Sequence, residues 1–342
     1  MIQYAHMKKY LLQTVFIFVM VALVFPHQIL AAGDSQENIF YYFDNVYGYS
    51  DFKKNYKKID IVAPQVYIVH DNLKVKSPKS KSLRVSKEAK RKKVPTMPLI
   101  VQDKFDKVLM SNILLDQNAQ DGIIDYMIKE ADKYGYIGWQ FDFENINHLD
   151  RDMYTAFVKK TYDRLKEEGL QFSVAVVVRD RDYDPNSKNQ DWSSAYDYKE
   201  LAKNSDFLSL MTYDEPYSTG PVASLPYVNR TLNYLLTQAP ADKLSLGVPL
   251  YCWHWQDGER VGSTTYKLAE KQYRKGKDRS MGYDEVYGAE YYKFTTGKVE
   301  NMIWCDGVKG VEAKKEIVKE RGLRGFSLWA LGQGDNDLWK KF

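Results

Sequence analysis

Cysteine is nearly absent from this chain of 342 residues: Cys252 and Cys305 are the only two. Five scattered histidines, with no CxxC or HExxH spacing, supply no metal-ligand set, which argues against a structural or catalytic zinc. No glycine-rich phosphate loop follows the first β-rich run, so a doubly wound nucleotide-binding sheet lacks its fingerprint. No motif calls for a cofactor. Internal repeats and low-complexity tracts are missing too, apart from one lysine-rich stretch.

Long apolar runs are equally scarce. The one candidate, Tyr10 to Phe25, is 16 residues long, short of the roughly 18–20 that a membrane span needs. It follows the basic pair Lys8 and Lys9 and precedes the small residues Ala31, Ala32 and Gly33. That order describes a secretory signal peptide. The expectation is therefore a signal peptide over 1–32 and a mature domain over 33–342, secreted or held outside the cytoplasm in a wall or periplasm. No stable membrane span would remain after cleavage, and an uncleaved anchor is the alternative. No cysteine near the cleavage site supports a lipoprotein.

What is present describes a folded globular protein: 44% hydrophobic and 27% charged residues, with 27 tyrosines. Tyrosine offers a flat apolar face with a polar tip, suited to sugar stacking, although ordinary packing accounts for most of them. The formal charge is +4, and +2 once Lys8 and Lys9 are removed. Its distribution is uneven. Lys74 to Lys93 holds ten basic residues against Glu88 alone, a net +9, which leaves the rest of the mature chain near −7. Attraction to an anionic polymer is one reading and a solvated loop and helix face the favoured one. An exported protein with an otherwise acidic surface makes nucleic acid an unattractive partner. A monomer is the default at this size.

From residue 38 on, short β-rich runs alternate with amphipathic stretches. The candidate strands are 39–43, 59–69, 95–101, 136–143, 171–178, 207–213, 244–251 and 325–331. Helices are expected over 122–134, 150–168, 227–237 and 311–320, the second with Met153, Phe157 and Leu165 on one side and Gly169 as its stop. Eight strands alternating with helices predict an α/β fold of parallel units closed as a (β/α)8 TIM barrel. The spacing breaks once, between Tyr251 and Cys305. Those residues suit a small inserted α+β lobe, about 253–304, between strands seven and eight. The ends of an inserted lobe must return close together, so a disulfide between Cys252 and Cys305 at its base is expected, with two buried thiols as the alternative.

The segment Tyr136-Ile-Gly-Trp-Gln-Phe-Asp-Phe-Glu144-Asn carries the most chemistry. Residues two apart on a strand share a face, so Trp139, Phe141 and Phe143 point towards the helices while Gln140, Asp142 and Glu144 point into the lumen. Glu144 falls at the C-terminal end of its strand, where this fold places active sites. Two inward carboxylates are costly unless hydrogen-bonded or functional. Their proximity should separate their proton affinities, leaving one ionised and the other protonated near neutral pH. A buried polar cluster is the competing reading.

The Gly-x-x-x-Asp-x-Glu ending of this strand resembles glycoside hydrolase family 18, whose pattern is Asp-Gly-x-x-Asp-x-Asp-x-Glu or its shortened forms. The likeness is nearest to the branch of bacterial cortical-fragment-lytic, spore-germination-type enzymes. Ser194-Ala-Tyr-Asp-Tyr198, Met211-Thr-Tyr-Asp214, Gly220-Pro-Val-Ala223, Gly247-Val-Pro-Leu-Tyr251 and Arg324-Gly-Phe-Ser-Leu-Trp329 extend it over nearly the whole mature chain. The resemblance implies a glycosidase using substrate-assisted, retaining catalysis beside N-acetylglucosamine, without a cofactor. Peptidoglycan or its fragments would be the substrate, with a chitinase or another endo-N-acetylglucosaminidase second and a non-catalytic glycan-binding barrel third. Glu144 would be the acid, Asp142 would stabilise the oxazolinium ion, and Tyr213 would orient the acetamido oxygen. Gln140, Asp214, Trp329, Tyr42 and Tyr251 would bind sugar, Trp329 as the stacking floor.

Two departures stand out. Gln140 replaces an acid or asparagine and is expected to donate a hydrogen bond to Asp142. Ile137 replaces the first Asp of the long motif. The LysM repeats that often precede this domain are absent.

Overall fold

The computed structural model describes residues 36–186 and 192–342. The expected signal peptide and its cleavage site lie outside the described residues. Eight parallel strands form a closed barrel: Glu37–Tyr42, Ile61–Val69, Leu99–Gln102, Gly138–Phe141, Gln171–Val177, Phe207–Met211, Leu244–Pro249 and Gly325–Trp329. The first strand pairs with the second and with the eighth, which closes the ring. All eight fall where the sequence places them, most with ends expected a few residues too long, while the first begins two residues earlier and the third ends one later than expected.

Helices cover the outside of the ring. Gln117–Tyr134 begins five residues before its expected start because the Asp116 side chain accepts the backbone N–H groups of Asn118 and Ala119. It stops at Gly135, whose φ of 70° suits glycine. Arg151–Glu167 buries Tyr154, Phe157, Val158 and Leu165 against the barrel. Three helices around the barrel had not been expected, Val46–Asn55, Lys107–Leu115 and Tyr198–Lys203, and a fourth, Arg84–Lys92, gives bounds to the helix face expected in the basic stretch. The main core lies between barrel and helices. A smaller apolar layer of Ile39, Tyr41, Ile61, Ala63, Met97, Leu99 and Phe207 fills the lumen.

One close approach and one bulge position the strands that carry the site. A Cβ on Gly138 would sit 2.1 Å from the Gln171 carbonyl oxygen on the fifth strand, so only glycine fits. In the second strand the register shifts between Gln65 and Tyr67. This bulge lets Ile61, Ala63 and Gln65 face the lumen while Tyr67 and Val69 join the outer core.

Residues 251–305 leave the barrel and form a five-stranded antiparallel sheet. In spatial order its strands are Glu259–Thr265, Tyr251–Gln256, Val299–Cys305, Ala289–Thr296 and Lys277–Asp284. The helix Tyr266–Lys275 packs on one face, setting its Ala269 against Tyr292, Phe294 and Ile303 of the sheet. Cys252 and Cys305 are register partners on adjacent strands and form a disulfide. Beyond it, fully buried Lys314 reaches Asp306 at 2.5 Å and joins the lobe's exit to the helix Val308–Glu320.

The basic stretch becomes a hairpin and the helix Arg84–Lys92. Arg84 pairs with Asp44, and Arg91 pairs with Glu88. Lys74, Lys76, Lys79, Lys81, Lys87, Lys90 and Lys93 are exposed.

Candidate active site

The fourth strand's alternation holds to its end. Trp139 donates its indole N–H to the Met127 carbonyl in the outer layer, and Phe141 packs against Phe143, Phe157 and Phe172. Gln140, Asp142 and Glu144 take the other side. Regular strand ends at Phe141, yet the Asp142 N–H still bonds the Ile100 carbonyl at 3.0 Å, so the extended ladder carries the carboxylates to the rim. Gln102 then grips the Glu144 backbone from both sides: its amide N–H donates to the Glu144 carbonyl and its oxygen accepts the Glu144 N–H. Asn145 turns the chain away with φ 51° and donates to the Phe105 carbonyl.

Asp142 is only 3% exposed. Burial pushes its carboxyl up to about 6, opposed by a 3.0 Å hydrogen bond from the Gln65 amide. Burial also raises Glu144, and the charges of Asp142 and Asp214 raise it further, to about 9. Between those values one carboxyl of the pair is ionised and the other protonated.

Gln140 does not touch Asp142 as expected. Its amide N–H groups donate to Ser173 and Ser209 at 2.8 and 2.9 Å, and its oxygen accepts from the Tyr41 hydroxyl at 2.8 Å. With both donors committed to the barrel floor, it is a structural amide beneath the site, and Gln65 supplies the bond to Asp142. Tyr42 is a second correction. It is fully buried in the outer core, its hydroxyl between Asp44 and Arg84, while its neighbour Tyr41 faces the lumen. Alternation sends adjacent tyrosines to opposite faces, and Tyr42 has no route to a sugar.

Tyr213, Asp214, Tyr251 and Trp329 gather above the carboxylates. Together with Tyr41, Gln65, Phe105 and Met211 they line a cavity of about 300 Å³ that contains Asp142 and Glu144. The Tyr251 hydroxyl donates to Asp214 at 2.5 Å, and the rings of Tyr213 and Tyr251 meet edge-on at 6.4 Å. Trp329 rests on Tyr41 and Phe43, at centroid distances of 5.2 and 6.3 Å. Burial holds the Tyr213 hydroxyl well above the ordinary tyrosine range, so it stays a donor. Gln65, Gln102 and Tyr41 are the residues that sequence reasoning missed. Gln65 had a signal, a lone amide in phase with Ile61 and Ala63 in an otherwise apolar strand.

Comparison with known proteins supplies the family. The family described as "Glycosyl hydrolases family 18" matches residues 37–334. The chain belongs to that family. Among curated relatives, the "uncharacterized glycosylase YvbX" of Bacillus subtilis (strain 168) is 29% identical over 263 residues, covering 74% of this chain and 75% of its own length. The cortical fragment-lytic enzyme of the same organism is 29% identical over 245 residues, covering 69% of this chain and 56% of the relative. The chain therefore spans little more than half of that enzyme. Among solved structures, a chitinase from Chromobacterium violaceum superposes with TM-score 0.79 at 21% identity, covering 90% of this chain and 97% of that one. That likeness speaks for the fold. As a family 18 member with both carboxyls in place, the protein is a glycosidase.

Proposed function

We propose that this family 18 glycosidase is exported and cleaves β-linked N-acetylglucosamine in peptidoglycan or its fragments. One observation carries the chemistry: two largely buried carboxyls of different proton affinity share a sugar-sized cavity beside Trp329. Glu144, protonated at neutral pH, gives its proton to the glycosidic oxygen as that bond breaks. The substrate's own acetamido oxygen attacks the anomeric carbon, forming an oxazolinium ion with inversion. Asp142, ionised and held by Gln65, accepts the acetamido N–H and balances the developing positive charge. Tyr213 donates to the acetamido oxygen and aims it, and Trp329 stacks under the ring. Water then attacks the anomeric carbon from the opposite face, with Glu144 now taking its proton, so the configuration is retained. Asp214 and Tyr251 would hold the same sugar's hydroxyls.

The curated relative acting on cortical fragments supports peptidoglycan as the polymer. The test uses the protein from residue 33 with muropeptides and with chitin oligosaccharides, the products being read by mass spectrometry. Muropeptide cleavage leaving N-acetylglucosamine at the new reducing end is expected. Cleavage of chitin oligosaccharides alone would replace peptidoglycan by chitin as the substrate.

A further inference from the structure

The catalytic cavity has a neighbour. A second cavity, of about 610 Å³, shares Trp329, Tyr251 and Asp214 with it and continues along Trp253, Arg260 and Gln333. Trp253 and Arg260 belong to the inserted lobe, on the strands Tyr251–Gln256 and Glu259–Thr265. Arg260 is the only cation among the described residues that line the two cavities. Its guanidinium lies over the Trp253 ring, 4.2 Å from the centroid. Among the described residues no carboxylate stands within ion-pair distance of it, whereas Arg181 and Arg230, which line another surface cleft, both pair with Asp180. The two acids in the same wall are turned to other partners, Asp214 to the Tyr251 hydroxyl and Glu215 to the Ser224 N–H.

A guanidinium stacked on an indole keeps its plane fixed and its outer N–H groups free, the arrangement that suits bidentate binding of a carboxylate. Chitin cannot supply one, because all its sugars are neutral. In peptidoglycan every N-acetylglucosamine is flanked by N-acetylmuramic acid, which carries a lactyl carboxyl or, joined through it, a peptide stem with its own carboxylates. A sugar held by Asp142 and Glu144 would place such a group one residue along the chain, in the second cavity.

We propose that Arg260 is a specificity residue that binds a carboxylate carried by the muramic acid next to the cleaved linkage. This rests on the peptidoglycan reading above. The test compares the wild-type chain with Arg260→Gln and Arg260→Lys on three substrates: a muropeptide, the same glycan stripped to free lactyl carboxyls, and the muropeptide with its carboxylates converted to carboxamides. Arg260→Gln should lower kcat/KM about tenfold on carboxylate-bearing substrates, mainly through KM, because a solvent-facing ion pair is partly screened. The carboxamide form should be cleaved equally by variant and wild type, and Arg260→Lys should recover part of the loss. A loss confined to the muropeptide or to the stripped glycan names the stem or the lactyl group as the partner. An equal loss on all three substrates, or none on any, overturns the assignment and leaves Arg260 as a cover for Trp253. Failure of the wild type itself to cleave any muropeptide would instead remove the peptidoglycan reading, and this inference with it.

Discussion

Asp142 and Glu144 resist ionisation for different reasons, and the difference sets the pH window. Asp142 is raised by burial alone and restrained by Gln65, whereas Glu144 also feels the negative charges of Asp142 and Asp214. The proposed mechanism requires Asp142 ionised, a condition lost as pH falls through about 6. It also requires Glu144 protonated, a condition lost as pH rises through about 9. The kcat/KM profile should therefore be a bell with limbs near those values. Gln65→Leu removes the hydrogen bond favouring the Asp142 anion, so its acidic limb should move upward while the alkaline limb stays near the wild type's. An unmoved acidic limb would contradict the role given to Gln65. From sequence the expected donor was Gln140, because it sits two residues from Asp142 on the same strand. Strand neighbours on one face stack along the lumen and need not bond. Which amide across the barrel reaches Asp142 depends on the bulge at Gln65, and no short-range pattern reveals it. The pair of tyrosines at 41 and 42 failed for a related reason. Either phase gives an aromatic inside, and only the placement of Phe40 with the outer core decides it.

Among elements, the inserted lobe is the part whose attachment matters most to the cleft, since it carries Tyr251, Trp253 and Arg260. Its two ends are fastened by the Cys252–Cys305 disulfide, 53 residues apart in sequence, and by the buried Lys314–Asp306 pair beyond it. Replacing both cysteines by alanine should cost about 2–4 kcal/mol. A lower melting temperature, with earlier proteolysis inside 251–305 than in the barrel, is the expected result. An unchanged melting temperature would mean that the ion pair and the antiparallel ladder suffice. The lobe was legible as a break in strand spacing between two cysteines. Its five-strand order was not, because antiparallel register within an insertion depends on turns such as Asp257-Gly258 and on the helix packed over Phe294. The helix Arg84–Lys92, foreseen only as a helix face without bounds, is nearly all charged on its outer face, and only Val85, Ser86 and Ala89 are buried. The two faces are sharply divided, but nine residues with only Val85 and Ala89 as apolar side chains make too short and too polar a run to bound a helix within the lysine-rich stretch.

At the scale of the whole molecule, the barrel was readable because eight β-rich runs recur with helices between them, and closure then follows from number and handedness. The ring brings Gln65, Gln102, Asp142, Glu144, Tyr213, Tyr251 and Trp329 to one mouth from strands distant in sequence. Such a gathering of polar groups is a cost to stability. Raised carboxyl affinities mean that the unfolded chain ionises first, so folding loses free energy as pH climbs from about 4.5 towards 9. Glu144→Gln removes that loss and should stabilise the protein at neutral pH by up to about 3 kcal/mol, with the gain shrinking in acid.

The same variant tests the central claim most directly. Wild type and Glu144→Gln would be compared on the same soluble muropeptides and chitin oligosaccharides, with turnover followed by product release and binding by tryptophan fluorescence or calorimetry. Turnover reduced by about 10²–10⁴-fold, with binding retained, is the predicted result. Turnover that survives in Glu144→Gln would contradict the account, because the proton would then come from another group.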